Sequence, residues 1–371
     1  MAEPWAKGIM QHNKKTIRVS VQVLKDLMER LLTAAGCSYA NAAVVAEGFL
    51  EADTRGVVIQ GLDHIYSTIE YLESGRLNGK GQPRLLRETP STALVEGDGT
   101  PGQVGGMFAT DVAIRKARSA GLGVVGLVNS GDVFMLSYYA NHIVEKDLVG
   151  FIVSNAYTPD VHPTGGMEPV IGTNPIAIAI PLENRDPLIV DLATSASAVG
   201  HIRIASYYQE KILEGLALDK QGSPTTDARE ALKGSLSPLG GIAAHKGYGL
   251  GLAAALLSGP LIGALIGNAL ANAMEHKKTD GSRGHFFMAI DPGFFGDRDL
   301  FKKRSADYLD YIKKSRLAPG FKEIRIPGEV EYAKRRKSLS EGIDVLETIW
   351  SHTALIADRL GVAMPQASTV V

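Results

Sequence analysis

The sequence predicts an α/β protein in which helical N- and C-terminal parts flank a strand-rich middle. Three observations carry this. Apolar residues recur at helical spacing between Val23 and Leu72, over Phe301–Ser315 and again from Glu331 onward. Short apolar runs bounded by turn residues lie between them, at Gly123–Val128, Gly150–Ser154, Ile176–Ile180 and Leu188–Leu192. The glycine loops of that middle do not make a dinucleotide fingerprint. GLGVVG sits inside a strand-like run, without GxGxxG spacing and without the acidic residue expected about 20 positions on, so the α/β unit is non-Rossmann.

The elements follow in order. The start, MAEPWAKGIMQHNKK, lacks the long apolar core of a signal peptide and is expected to be a loose arm over residues 1–18. Val23, Leu24, Leu27, Met28, Leu31 and Leu32 then lie at helical spacing, with Ser20 as a suitable cap and Gly36 as the stop. Ala40–Asp53 forms a second helix and Leu62–Leu72 a third, before the turn SGRLNGKGQP. Residues 19–90 are thus a helical unit. Thr92–Glu96 reads as a strand, GDGTPGQVGG as a loop, and Val104–Ser119 and Tyr138–Glu145 as helices. Gln209–Leu239 is polar and punctuated, as a surface excursion would be. Phe286–Ile290 closes an α/β unit that spans 91–300. Residues 301–371 return as helix, interrupted by the loop-rich LAPGFKEIRIPGE, and the end PQASTVV should fray.

Tyr248–Met274 carries no charged side chain and approaches membrane-spanning length. Ser258-Gly259-Pro260 should break it, because proline disrupts the helical ladder. Its small residues suit close packing, so a buried helix followed by a Gly-rich crossover or lid is expected rather than a membrane span.

Charge excludes other classes. Lys+Arg is 39 and Asp+Glu is 40, a formal net charge of -1, so no global field recruits nucleic acid or an anionic membrane. The runs at Lys302–Arg304 and Lys334–Lys337 read as solvated helix faces. Cys37 is the single cysteine, which rules out an internal disulfide and a zinc cluster and suits a reducing, cytoplasmic compartment. No metal site is expected: His142, His245, His276 and His285 are scattered.

Four segments can carry chemistry. In VHPTGGMEPVIGTNP, Val161–Pro175, the glycine pair lets backbone approach a ligand and hold a phosphate, with Glu168 and Asn174 orienting the loop. A tight β-connection is the other reading. In DLATSA, Asp191 can accept from a ligand hydroxyl while Thr194 and Ser195 meet a phosphate; a helix cap is the plainer alternative. In AHKGYGL, Lys246 stands at the mouth of an apolar element, where a cation is costly unless paired or facing a ligand, or else it is a surface lysine. In NSGDVF, Asp132 follows a strand end and can be a base, an acceptor or a turn residue.

These pieces occur in one order: ADTRG, GQVGG, the strand plus NS, TGG…GTNP, DLAT, PTTD, KGYGL, GHFFMAIDP, APGF and IPGE. In that order the chain, from about Val19 to about Ile343, resembles the non-Rossmann malate/L-lactate dehydrogenase-like oxidoreductases. That family includes ureidoglycolate dehydrogenase, sulfolactate dehydrogenase, diketogulonate reductase and piperideine/pyrroline-2-carboxylate reductases. The resemblance implies a sulfolactate dehydrogenase-like fold with a mostly antiparallel or mixed sheet, and an intertwined homodimer. It also implies hydride transfer between NADP or NAD and C2 of a 2-oxo or 2-hydroxy acid or a cyclic imino acid. By the same match the cofactor residues are Thr164, Gly165, Gly166, Asp191, Leu192, Ala193 and Lys246, and the substrate side carries Arg55 and Asn174; His162 is a further substrate-side candidate.

The match breaks at the active centre. The family shows SHG after ADxRG and an arginine four residues beyond the histidine; here Ile59-Gln60-Gly61 stand there, followed by His64. The histidine expected soon after NS is matched by Asp132. Gln60 cannot titrate. Asp132 is a weak base unless burial raises its pKa, and His64 grips a carboxylate poorly unless charged. Three outcomes stay open: hydride transfer with Asp132 as the proton-transfer group, helped by His64 or His162; a larger substrate held without the usual grip; or a relative that binds cofactor without turnover.

Overall fold

A computed structural model describes residues 15–156, 158–277 and 283–365, with the backbone alone at 274–277. Most of the expected N-terminal arm, the side chain of His276, and the tail after Pro365 lie outside that description.

Strand β1 (Thr16–Val19) leads into helix α1 (Val21–Ala34), whose N-terminus is closed by Ser20 Oγ accepting the Val23 N–H at 3.3 Å. Leu24, Leu27, Met28, Leu31 and Leu32 form its buried stripe, packed on α2 (Tyr39–Thr54). The third expected helix starts late. Two short 3-10 turns, Val58–Gln60 and Leu62–His64, precede α3 (Ile65–Glu73), because a side-chain carboxylate rather than a helical carbonyl takes the Leu62 N–H.

Next come β2 (Arg84–Glu88), β3 (Thr92–Glu96) and α4 (Gly102–Ala120). GQVGG, expected as loop, is the first turn of α4. A Cβ at Gly106 would lie 2.5 Å from the Tyr139 ring and one at Gly105 2.7 Å from Ser130 Oγ, so these glycines permit close packing rather than a turn. The chain continues through β4 (Leu122–Ser130), α5 (Leu136–Val144), β5 (Val149–Ser154), β6 (Ile176–Ile180) and β7 (Leu188–Leu192). Then follow α6 (Val199–Tyr207), the short β8 (Ala217–Leu218), α7 (Ala228–Ala231), β9 (Ser235–Leu236), α8 (Ala244–Ser258) and α9 (Gly267–Lys277). The last elements are β10 (Arg283–Ile290), α10 (Arg298–Lys313), α11 (Glu329–Glu341), β11 (Ile343–Leu346) and α12 (Glu347–Arg359).

Seven strands make one sheet in the order β2-β3-β4-β10-β5-β6-β7. Each pairing in it is antiparallel except β3–β4, which α4 connects, so the sheet is mixed and mostly antiparallel. Alternation sorts the two faces. Phe287 and Ala289 of β10 join Val125, Leu127, Ile152 and the buried side of α4 and α5, while Phe286 joins Val153 and Ala254 of α8. Because β2 belongs to this sheet, the α/β unit begins before residue 91. The arm also ends earlier than expected: Thr16–Arg18 are already strand, pairing with β11.

Helix α8 ends at Ser258, as the Ser-Gly-Pro sequence requires, and the path bends by 60° before α9. No single helix among the described residues is long and apolar enough to cross a membrane. Yet α8 is not the fully buried helix expected. Gly247, Gly251, Ala254 and Ala255 face inward, while Leu250, Leu252 and Leu256 stand exposed.

Candidate active site

A cavity of about 750 Å³ opens where the end of β7, the start of α5, the turn at Val58–Gln60 and helix α6 converge, closed on a further side by Pro327, Gly328 and Glu331. That volume suits a small-molecule ligand (typically ~300–1,000 Å³).

Arg55 is the C-cap of α2 and reaches the cavity wall. Its guanidinium donates to Glu51 Oε1 from Nε at 2.7 Å and from a terminal nitrogen at 2.6 Å, and lies 4.3 Å from the centre of the Tyr332 ring. Glu51 Oε2 accepts from Arg335 at 3.0 Å. Tyr332 in turn donates to Asn141 Oδ1. Arg55 is therefore held rigid, and this fixes where its remaining N–H groups point. Gln60 lines the same cavity.

Asp191, one residue before the end of β7, has Oδ2 accepting the Ser137 N–H at 2.7 Å. Burial raises its carboxyl, Ser137 opposes, and Glu331 pushes further up. Its accessible surface faces the cavity, which Leu192, Ala193 and Glu331 also line. Beyond them Ser195–Ala198 form the rim, and α6 starts without any side-chain cap. Open N–H groups at a helix start favour negative charge. With the apolar wall of Ile189, Leu192 and Ile202, this cradle fits an elongated ligand with flat rings and a phosphate, as a dinucleotide has.

Asp132 and His64 come together outside that lining. Asp132 accepts the Phe134 N–H at 2.8 Å and is ion-paired with buried Arg283 of β10. Burial works to raise its carboxyl, but Arg283, the Phe134 N–H, His285 and His64 outweigh it, so Asp132 lies below the usual carboxylate range. A carboxyl held low in this way is a weak base. His64 packs on Phe134, ring centres 4.9 Å apart, and hydrogen-bonds the Ile59 carbonyl. Burial lowers His64, against the pull of Asp132 and Asp63, and keeps it neutral near pH 7. His285, fully buried, spends both ring nitrogens on Ser154 Oγ at 2.8 Å and the Gly131 carbonyl at 3.0 Å. Burial pushes it down to about 4, so its place is structural.

The remaining expected residues stand elsewhere. Thr164, Gly165 and Gly166 form an exposed turn, and Lys246 is exposed in the first turn of α8; neither lines the cavity. Gly247 packs on Leu239, a cavity residue, so Lys246 is beside the rim rather than within it. His162 turns Nδ1 to the Pro163 carbonyl at 3.1 Å and is not a lining residue. Asn174 is buried in the loop, 1% exposed, and is not a lining residue of the cavity. Its Oδ1 accepts from Ala156 N at 3.1 Å and its Nδ2 donates to the Gly251 carbonyl at 3.0 Å, so both ends of the amide are spent on holding the loop to α8.

The family described as malate/L-lactate dehydrogenase matches residues 19–353. The chain belongs to that family. Relatives of this malate/L-lactate dehydrogenase family member include L-sulfolactate dehydrogenase of Methanothermobacter thermautotrophicus, 35% identical over 93% of this chain and 98% of the relative. The Delta(1)-pyrroline-2-carboxylate/Delta(1)-piperideine-2-carboxylate reductase of Pseudomonas putida is 31% identical over 89% and 94%. Among solved structures, malate dehydrogenase from Entamoeba histolytica superimposes with a TM-score of 0.91 at 30% identity, covering 95% of this chain and all of that one. The protein is thus an oxidoreductase of the malate/L-lactate dehydrogenase family with that family's non-Rossmann α/β fold. Reading its sequence missed four groups near the centre: Asp53, His201, Arg283 and Glu331. Each acquires its neighbours through folding; Asp53 alone had a visible signal, as the acid of ADTRG on the buried face of α2.

Proposed function

We propose that the protein transfers hydride between a nicotinamide dinucleotide, NADP or NAD, and C2 of a 2-oxo or 2-hydroxy acid or a cyclic imino acid. One observation carries the reading: the cavity joins a rigidly held Arg55 and Gln60 to Asp191 and the uncapped start of α6. The nicotinamide ring, when bound, supplies or accepts the hydride. Asp191 with Leu192 and Ala193 would hold ribose hydroxyls, Ser195–Ala198 and the α6 N–H groups a phosphate, and Lys246 beside the rim a further anionic group. Arg55 would grip the substrate carboxylate with the N–H groups that Glu51 leaves open, and Gln60 would donate to the C2 oxygen.

Asp132 acts through charge in this reading rather than as the proton acceptor. Paired with Arg283 outside the cavity lining, it keeps negative potential close to His64 behind the turn at Ile59. The names of the relatives, spanning sulfolactate, malate and cyclic imino carboxylates, support the substrate range proposed.

Turnover of a panel of 2-oxo acids and cyclic imines with NADH and NADPH tests the proposal. Oxidation of either reduced cofactor with at least one member is expected. Saturable NADH or NADPH binding with no consumption across the panel would favour a relative that binds without turnover, the reading that Gln60 and the locked Asp132 leave open. We also propose a homodimer, supported by the exposed leucines of α8.

A further inference from the structure

Helix α6 places a histidine in the cavity that no motif marks. Ile202, 1% exposed, anchors the helix, and Gly200 brings it onto the active-site turn: a Cβ there would lie 3.3 Å from Ile59. Between them His201 lines the cavity together with Arg55, Gln60 and Asp191. Among the described residues it is the one histidine that does so, and no group there hydrogen-bonds its ring nitrogens. His64 is bonded to the Ile59 carbonyl and His285 to Ser154 and Gly131, and His162, with Nδ1 on the Pro163 carbonyl, lies outside the cavity. Gln60 has no proton to exchange, and Asp132 is committed to Arg283.

We propose that His201 is the proton-transfer residue of this cavity, taking the role left empty by Gln60; the assignment rests on the hydride-transfer reading above. In the oxidative direction the C2–H bond breaks with its electron pair passing, as hydride, to an oxidised nicotinamide dinucleotide. The C2–O–H proton moves to the bare nitrogen of neutral His201, and the O–H electron pair becomes the second C–O bond. The products are the 2-oxo acid, the reduced dinucleotide and an imidazolium; reduction runs the same steps backwards with that imidazolium as donor. Burial lowers the His201 imidazole and so keeps it neutral and able to accept near pH 7. The charged groups around it on the cavity wall are Arg55 of α2, Asp191 of β7, Glu210 and Lys211 after α6, and Glu331 of α11.

The test compares wild type with His201→Gln and His201→Asn. Each variant should lose about 100-fold or more in oxidative kcat while binding NADH, followed by its fluorescence, within about threefold of wild type. Wild-type oxidative kcat/KM should fall as pH drops below the ordinary histidine range, and that limb should vanish in both variants. Because a variant can fail to fold, a second readout uses wild type: ring-nitrogen NMR signals of His201 should shift when oxamate is added to the NADH-bound protein. Turnover within about threefold of wild type with the acid limb intact, or ring signals indifferent to oxamate in an active enzyme, would overturn the His201 role alone. A wild type that neither binds NADH or NADPH nor turns over any panel member would overturn the hydride-transfer reading and this role with it.

Discussion

Asp53 Oδ2 accepts the Leu62 N–H at 2.8 Å, tying the end of the helix that carries Arg55 to the turn between Gln60 and His64. The fit leaves no room for a side chain at Gly61, where a Cβ would stand 2.0 Å from Asp53 Oδ1. Burial raises the Asp53 carboxyl to about 7, with Asp63 adding to it and the Leu62 N–H opposing. An acid raised in the folded state contributes stability below its unfolded value, and that contribution is lost as pH rises through the folded one. Asp53→Asn removes the titration. Its melting temperature relative to wild type should therefore be higher at pH 8 than at pH 5, by at most a few kcal/mol of stability at ~1.4 kcal/mol per tenfold change in proton affinity. Calorimetry at the two pH values checks this; an unchanged difference would show that Asp53 does not titrate in this window.

The Asp132–Arg283 pair joins the loop after β4 to the start of β10, and Arg283 is 2% exposed. Removing one charge of a buried pair costs more than removing both. The Asp132 side chain is 40% exposed, so water screens the loss: Asp132→Asn should cost about 1–2 kcal/mol in denaturant unfolding, and Asp132→Asn with Arg283→Met less than the sum of the single changes. Additive costs would mean the two residues do not support each other. In an active assay Asp132→Asn should slow turnover more than it weakens NADH binding.

Arg55 offers a different contrast. Arg55→Lys keeps the charge but loses the two-point hold on Glu51 and the face-on contact with Tyr332. The KM for a carboxylate substrate should rise about tenfold or more while NADH affinity changes little. An unchanged KM would remove Arg55 from the substrate grip.

Leu256 of α8 is 54% exposed, with Leu250 and Leu252 exposed on the same helix. Wild type should sediment as a dimer and Leu256→Asp as a monomer with its secondary structure retained, since a charge in an apolar interface is desolvated without a partner. A monomeric wild type would end the homodimer reading.

Much of the frame is legible in local pattern. The stripe from Leu24 to Leu32 specifies α1, Ser20 its start, and the strand runs of the central sheet carry their own alternation. Gly259-Pro260 stops α8 wherever the rest of the chain lies. Glycines mislead, because their spacing does not reveal whether they serve a turn or close packing: GQVGG became helix once Tyr139 and Ser130 came to rest against it.

The sequence by itself determined α1, α2 and the strands β4 to β7 of the central sheet, the order of the family's motifs, and that Gln60 cannot titrate, since these depend on residue type and near neighbours. Tertiary structure alone decided the pairing of β1 with β11, the ionised state of Asp132 and the cavity position of His201. The physical reason is that a carboxyl or imidazole takes its proton affinity from the charges, donors and water around it. Here those neighbours arrive from remote parts of the chain: Arg283 of β10 beside Asp132, and the turn at Ile59 and Gln60 beside α6.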